Sequence, residues 1–194
     1  LYLDVVDSTV ITACNTAPVL LEGEEATDTT ISGNSISLRS SCADRNGEAA
    51  EDIYRIDVAT PSYVTVFVQA APTADIAVSL RADCLSNESE LPKACSDGGL
   101  VGASETVNGL VEPGSYFIVV QGADTMKGGS YTVSWNAEDV LCTAADNTCV
   151  DADTASVCRA NGTGFDTNEC GASGCYALRG VCNRPPGDVC TEAP

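Results

Sequence analysis

The chain has 194 residues, with 28 Asp and Glu against 9 Lys and Arg for a formal charge of −19, and it holds 11 cysteines and no histidine. Such a charge repels nucleic-acid phosphates and anionic headgroups, which excludes nucleic acid as a partner, and no apolar run reaches the roughly 18 residues of a membrane-inserted helix. The missing histidine removes Ser-His-Asp and Cys-His pairs, and with them the usual general base near neutral pH, so the expectation is a protein that is not an enzyme.

Cysteine at this density, with no histidine to complete a mixed metal site, is the usage of an exported, disulfide-bonded protein. No initiator Met and no basic-then-apolar leader opens the chain, which reads as a mature form placed outside the cell or on its surface. Residues 1–13 stand apart from the rest of the chain. Leu1-Tyr2-Leu3-Asp4-Val5-Val6-Asp7-Ser8-Thr9-Val10-Ile11-Thr12 has the composition of a strand. It is either an extra edge strand of its own domain or a strand lent to a neighbour. In the second case backbone hydrogen bonds supply affinity, and alternate side chains such as Leu1, Leu3 and Val5 supply register.

From 14 to 136, apolar and β-branched runs alternate with turn signals. Tyr54-Arg55-Ile56-Asp57-Val58, Tyr63-Val64-Thr65-Val66-Phe67-Val68, Asp75-Ile76-Ala77-Val78-Ser79-Leu80, Tyr116-Phe117-Ile118-Val119-Val120 and Tyr131-Thr132-Val133-Ser134-Trp135 read as strands. Asn46-Gly47, Asn108-Gly109, Pro113-Gly114 and Gly128-Gly129 punctuate them. No long segment has helical periodicity, so the fold expected is all-β, an antiparallel sandwich of the jelly-roll kind. Local pairing of cysteines is the economical arrangement. A Cys14 to Cys42 bridge would close the polar segment 22–41, worth about 3.6 kcal/mol by chain entropy, and Cys84 to Cys95 a shorter loop worth about 2.8 kcal/mol.

Composition changes between Trp135 and Leu141, where the boundary to a second module, 137–189, is drawn. Periodicity vanishes there, and Cys142, Cys149, Cys158, Cys170, Cys175 and Cys182 crowd together. A segment with so little apolar surface must be held by crosslinks, so these six are expected to bond among themselves, in one of fifteen connectivities. Cys190 is left over. Its context, Cys-Thr-Glu-Ala-Pro, repeats the Cys-x-x-Ala-Pro of Cys14, so 190–194 reads as the start of a following repeat or as a junction between subunits.

Carboxylates offer the remaining chemistry. Paired acids could hydrolyse glycosides, but Glu24-Glu25, Glu51-Asp52 and Glu138-Asp139 are adjacent, and neighbours on a strand face opposite ways. Calcium is the one cation these oxygens suit, and no other cofactor is expected. Glu22, Glu24 and Glu25, with Asp151 and Asp153 near Asp146-Asn147, are dense enough to offer oxygens, although neither set has the spaced EF-hand pattern. Asn87-Glu88-Ser89 and Asn161-Gly162-Thr163 fit the N-glycosylation acceptor pattern.

The order of these elements resembles the bacterial pre-peptidase C-terminal domain. The matching signs are Cys14, then Cys42 before Glu51-Asp52-Ile53-Tyr54-Arg55-Ile56, the strand Val64 to Val68, the run Ile76 to Cys84, and Ala94-Cys95-Ser96-Asp97-Gly98-Gly99. They close with the hairpin Glu112-Pro113-Gly114-Ser115-Tyr116 to Val120 and Gly129-Ser130-Tyr131-Thr132-Val133. The tail is similar to the short cysteine-rich units that follow such domains in tandem-repeat secreted bacterial proteins. The resemblance implies a β-sandwich acting as an accessory, adhesive or spacer domain, some members binding calcium. It carries no ligand set over to this chain.

Together these point to a non-catalytic structural or adhesive protein outside the cell, a unit of a surface filament or repeat protein that self-associates head to tail through its termini, with a protein or glycan surface as its ligand. The other reading is a substrate- or calcium-binding accessory module of a secreted hydrolase.

Overall fold

The computed structural model of the chain describes residues 8–30, 38, 40–43, 50–98, 100–123, 128–176 and 179–182, and the chain divides between Glu138 and Asp139 into two compact units. Among the described residues the first holds one α-helix, α1 (Ser8–Asn15), and eight strands. These are β1 (Glu25–Thr29), β2 (Glu51–Val58), β3 (Ser62–Ala70), β4 (Ile76–Arg81), β5 (Glu90–Ser96), β6 (Ser104–Val111), β7 (Gly114–Gly122) and β8 (Ser130–Asp139).

The strands form two four-stranded sheets, ordered β1-β8-β3-β6 and β2-β7-β4-β5, which make a β-sandwich. Alternation builds its core. Val64, Val66, Val68 and Ala70 of β3 are buried while Tyr63, Thr65, Phe67 and Gln69 between them are not. Val133 and Trp135 of β8, Ile56 of β2, Val78 and Leu80 of β4, and Ile118 and Val120 of β7 meet them in one cluster. Each such aliphatic side chain contributes about 1.5–3 kcal/mol by leaving water. Trp135 also donates its indole N–H to the Leu20 carbonyl at 2.9 Å, and Leu20 N–H and Pro18 C=O pair with the Arg55 backbone. Residues 18–20 thus cover the outer edge of β2.

The five strands expected from the β-branched runs are present as β2, β3, β4, β7 and β8, two of them opening at Pro113-Gly114 and Gly128-Gly129. Three strands were not expected: β1, β5 and β6. Asn108-Gly109 is not a turn. It lies inside β6, where Gly109 pairs with Val64 and comes within 3.3 Å of Leu91 at the place of a Cβ, so glycine answers a close approach there. Asn46-Gly47 lies outside the described residues. The strand expected over 1–12 is also corrected, because Ser8 to Thr12 belong to α1. Thr12 and Thr16 hydroxyls both bond to carbonyls four residues back, and Val10 is buried, so tertiary burial decides the helix against β-branched propensity. Residues 1–7 lie outside the described residues.

The second unit is built from short strands: β9 (Thr148–Cys149), β10 (Thr154–Cys158), β11 (Phe165–Glu169), β12 (Cys175–Tyr176) and β13 (Val181–Cys182), in sheets β11-β10-β9 and β12-β13. Bridges Cys142–Cys158, Cys149–Cys175 and Cys170–Cys182 tie these together. Among its described residues the buried apolar ones are Ala155 and two half-cystines, Cys142 and Cys170, so the crosslinks stand where a core would be. Gly180 allows the tightest packing. At φ +57°, a Cβ there would stand 2.2 Å from the Asn147 backbone.

Candidate interaction face

The two sheets of the sandwich have opposite fates on their outer sides. On β2-β7-β4-β5 the outward residues Ile53, Phe117 and Val119 pack with Val10 and Ala13 of α1 and with Leu38. This cover is pinned twice. Cys14 of α1 bonds to Cys84 just after β4, and Cys42 bonds to Cys95 on β5. The pairings expected from sequence neighbourhood, Cys14 with Cys42 and Cys84 with Cys95, are therefore corrected: Cys14 and Cys42 belong to the cover, Cys84 and Cys95 to the sheet, and each bridge crosses between them. Loops of 70 and 53 residues make each bridge worth about 4 kcal/mol on the chain-entropy model, more than the local pairs would give.

A polar network lies under the same cover. Arg81 is fully buried, and its guanidinium donates to Ser79 Oγ at 3.4 Å and Ser40 Oγ at 3.5 Å. Burial lowers its pKa, opposed by the charges of Glu90 and Glu51. Glu90 in turn accepts from the Ser41 backbone N–H and hydroxyl, so one of the two carboxylates whose charge favours the Arg81 cation also holds the cover down. On β7, opposite Glu51, Gln121 is fully buried with neither amide atom hydrogen-bonded.

The outer side of β1-β8-β3-β6 carries no such cover among the described residues. Its outward positions are Thr27 on β1, Ser130, Thr132 and Ser134 on β8, Tyr63, Thr65, Phe67 and Gln69 on β3, and Ser104, Thr106, Asn108 and Leu110 on β6. Charges come only at one end, from Glu25 and Glu138, in a chain with 28 acids. Phe67 is 42% and Leu110 55% exposed. The hydroxyls of Thr27 and Thr132 meet at 3.4 Å, and with Gln69, Ala71 and Ser130 these residues line an open recess. The sequence reading passed over these side chains. Their signal is the uncharged phase of each alternating strand, visible only once the strands are known to share a sheet.

No reactive pair of acids forms at the carboxylates singled out from sequence. Glu51 turns outward to the Arg81 network while Asp52 turns inward, where the Tyr131 hydroxyl donates to it at 2.8 Å. Tyr54 and Tyr131 hydroxyls lie 2.9 Å apart. Burial raises all three pKa values: Asp52 above the usual carboxylate range, Tyr54 to about 12, and Tyr131 further still. These groups satisfy one another inside the sandwich.

The calcium candidates are not brought together. Glu22 accepts from the Ala137 backbone N–H at 2.9 Å, Glu25 stands on β1 opposite Ser134, and Glu24 precedes it. In the second unit Asp151 Oδ1 accepts from the Asp153 N–H, which lowers the Asp151 pKa. Among the described residues no group of three or more Cys, Asp or Glu could hold a metal ion. Leu1, Leu3, Val5 and Cys190, the expected junction residues, lie outside the described residues. Asn161 is half-buried with its Oδ1 accepting from the Thr163 N–H and hydroxyl. No described helix is long and apolar enough to cross a membrane.

No family model matches the chain, and no curated relative matches it. Among solved structures it is similar to the pre-peptidase C-terminal domain of collagenase from Bacillus anthracis, with 15% identity and a TM-score of 0.42 over 62% of this chain and 94% of that one. It is also similar to PliG of Aeromonas hydrophila, a periplasmic inhibitor of g-type lysozyme, with 10% identity and a TM-score of 0.38 over 63% of this chain and all 100% of that one.

Proposed function

We propose that the chain is a non-catalytic structural or adhesive protein that works outside the cell through the bare face of β1-β8-β3-β6. One observation carries this reading. Among the described residues, a helix, a loop, two disulfides and a buried arginine network cover one sheet, while the other sheet's face is left open and almost without charge. In an acidic chain, an uncharged patch bearing Phe67, Tyr63 and Leu110 amid hydroxyl and amide groups is suited to a neutral protein or glycan surface. Ten half-cystines in disulfides suit an oxidising compartment. Assembly into a filament through the termini, with Leu1, Leu3 and Val5 at one end and Cys190 at the other, is the finer part of the proposal and rests on the repeated Cys-x-x-Ala-Pro context.

Retention of the intact, disulfide-bonded protein on insoluble neutral polysaccharides and extracellular proteins tests the reading. Binding to one of them should weaken at least tenfold in Phe67→Ser with Leu110→Ser. Retention that survives both changes, or turnover of glycosidic, ester or peptide reporters, would overturn it. The same face serves the accessory-module reading equally, and a catalytic domain encoded in the same gene separates the two.

A further inference from the structure

Each sheet has two edge strands, and an edge presents unpaired backbone groups that can recruit another chain unless something blunts it. Three of the four edges here are blunted. At β2, residues 18–20 lie along the strand and take up the Arg55 backbone. At β5, Pro92 lacks a donor, Lys93 sits at φ 62°, and the register with β4 shifts between Ser79 and Arg81. At β1, only five residues long, Glu24, Glu25 and Asp28 crowd acid around the strand.

Among the described residues the fourth edge, β6, has none of these devices. Ser104-Glu105-Thr106-Val107-Asn108-Gly109-Leu110-Val111 contains no Pro, no Lys and no Arg. Its one charged residue, Glu105, is buried, pointing inward to accept from the Ser96 hydroxyl and the Gly98 N–H. The strand is eight residues long, paired with β3 on one side and last in its sheet on the other. Two molecules of charge −19 repel each other over most of their surfaces. They meet with least repulsion where neither brings a charge, and this edge adjoins the uncharged face.

We propose that β6 is a self-pairing edge, through which two copies of the chain join antiparallel, β6 to β6, into one continuous sheet. The contact is isologous, so it closes at a dimer and does not run on into a fibre. Because side chains alternate with a period of two, pairing in register keeps Ser104, Thr106, Asn108 and Leu110 of both copies on the outer side, which doubles the uncharged face. The inference goes beyond the adhesive reading and needs no ligand.

Light scattering across a concentration series, on the intact oxidised protein, should show a reversible shift from one chain mass to two. Deuterium exchange over 104–111 should slow as concentration rises. Thr106→Lys with Asn108→Lys puts like charges opposite each other at the seam while lowering the net negative charge, so general repulsion falls even as the pairing is blocked. Association should weaken at least tenfold, with a Tm equal to the parent's at concentrations where the parent is monomeric. The control pair Thr27→Lys with Thr132→Lys, on the same face but away from the edge, should dimerise like the parent.

A monomer at every concentration overturns the proposal, and so does a ladder of species that the β6 variant leaves unchanged or a control pair that also fails to associate. Should the β6 variant melt early, the concentration dependence of exchange at 104–111 in the unmodified protein decides alone. A monomer still retained on a surface ligand would sink edge pairing and leave the adhesive reading standing.

Discussion

Tyr131 on β8 donates its hydroxyl hydrogen to Asp52 on β2 at 2.8 Å, a hydrogen bond that crosses from one sheet of the sandwich to the other. Burial raises the Asp52 pKa, the Tyr131 bond opposes that rise, and the Asp28 charge adds to it. A carboxyl raised in the folded state contributes its full stability below the unfolded pKa and loses it as pH climbs through the folded value. Asp52→Asn keeps an acceptor for Tyr131 and has no charge to bury. Its Tm relative to the parent should therefore be highest near pH 7 and fall as both are acidified through the carboxylate range. A difference that does not change with pH would contradict the burial account. Tyr131→Phe leaves the carboxylate without its donor and should cost about 1–3 kcal/mol at neutral pH.

Gln121 makes the opposite kind of prediction. Both of its amide atoms are buried and without a hydrogen bond, a desolvation cost of about 1–3 kcal/mol with nothing to offset it. Gln121→Leu removes the polar atoms at similar volume, so the denaturant midpoint should rise with an unchanged m-value. A lower midpoint would mean that the amide is satisfied in solution.

The two bridges of the first unit should act as clamps on a lid. Replacing Cys14 and Cys84 together by Ala should cost about 2–4 kcal/mol and speed amide exchange in β7 around Phe117 and Val119, which lie under α1. Non-reducing peptide maps should link 14 to 84 and 42 to 95. A map linking 14 to 42 would undo the clamp.

In the first unit, strands with two neighbours were legible in the sequence because burial on one face, and hydrogen bonding on both sides, selected long β-branched runs such as Val64 to Val68 and Tyr116 to Val120. The strands missed in that unit, β1, β5 and β6, are all sheet edges. Edges tolerate polar residues, Pro92 and Asn108-Gly109, so their composition imitates turns and loops. Residues 8–15 failed in the other direction. Their Val, Ile and Thr content suggested a strand, and only the hydrophobic cluster on the far side of the sheet makes a helix there favourable. Cysteine partners were illegible for a related reason: bridge partners are set by which layer each residue joins, and layers are not local in sequence. The open face was hidden because no single strand defines it.

In the second unit, reduction breaks the crosslinks that hold its interior together, since Cys142 and Cys170, each half of a bridge, are among the few buried side chains described there. Amide protection over 142–182 should be lost at reductant concentrations that leave β2, β3 and β7 protected. Gly180→Ala should act similarly without any reductant, because the added carbon collides with the Asn147 backbone at a left-handed φ. Equal loss of protection in both units would show that the tail has a core of its own.

Two deletions at the amino terminus separate a lent segment from a structural one. Residues 8–15 belong to the domain's own cover, with Val10 buried against the sheet and Cys14 bonded to Cys84. Removing 1–12 takes away most of α1 and should destabilise the sandwich by about 1–3 kcal/mol, the transfer free energy of one buried valine and the packing around it. Removing only 1–7 leaves Val10 and α1 in place. If Leu1, Leu3 and Val5 pair with a neighbour, the shorter deletion should keep the parent's Tm and abolish any chain growth seen by light scattering, and Cys190→Ser should weaken the same growth. A shorter deletion that lowers the Tm as far as the longer one would place 1–7 in the domain's own fold and leave the termini without a part in assembly.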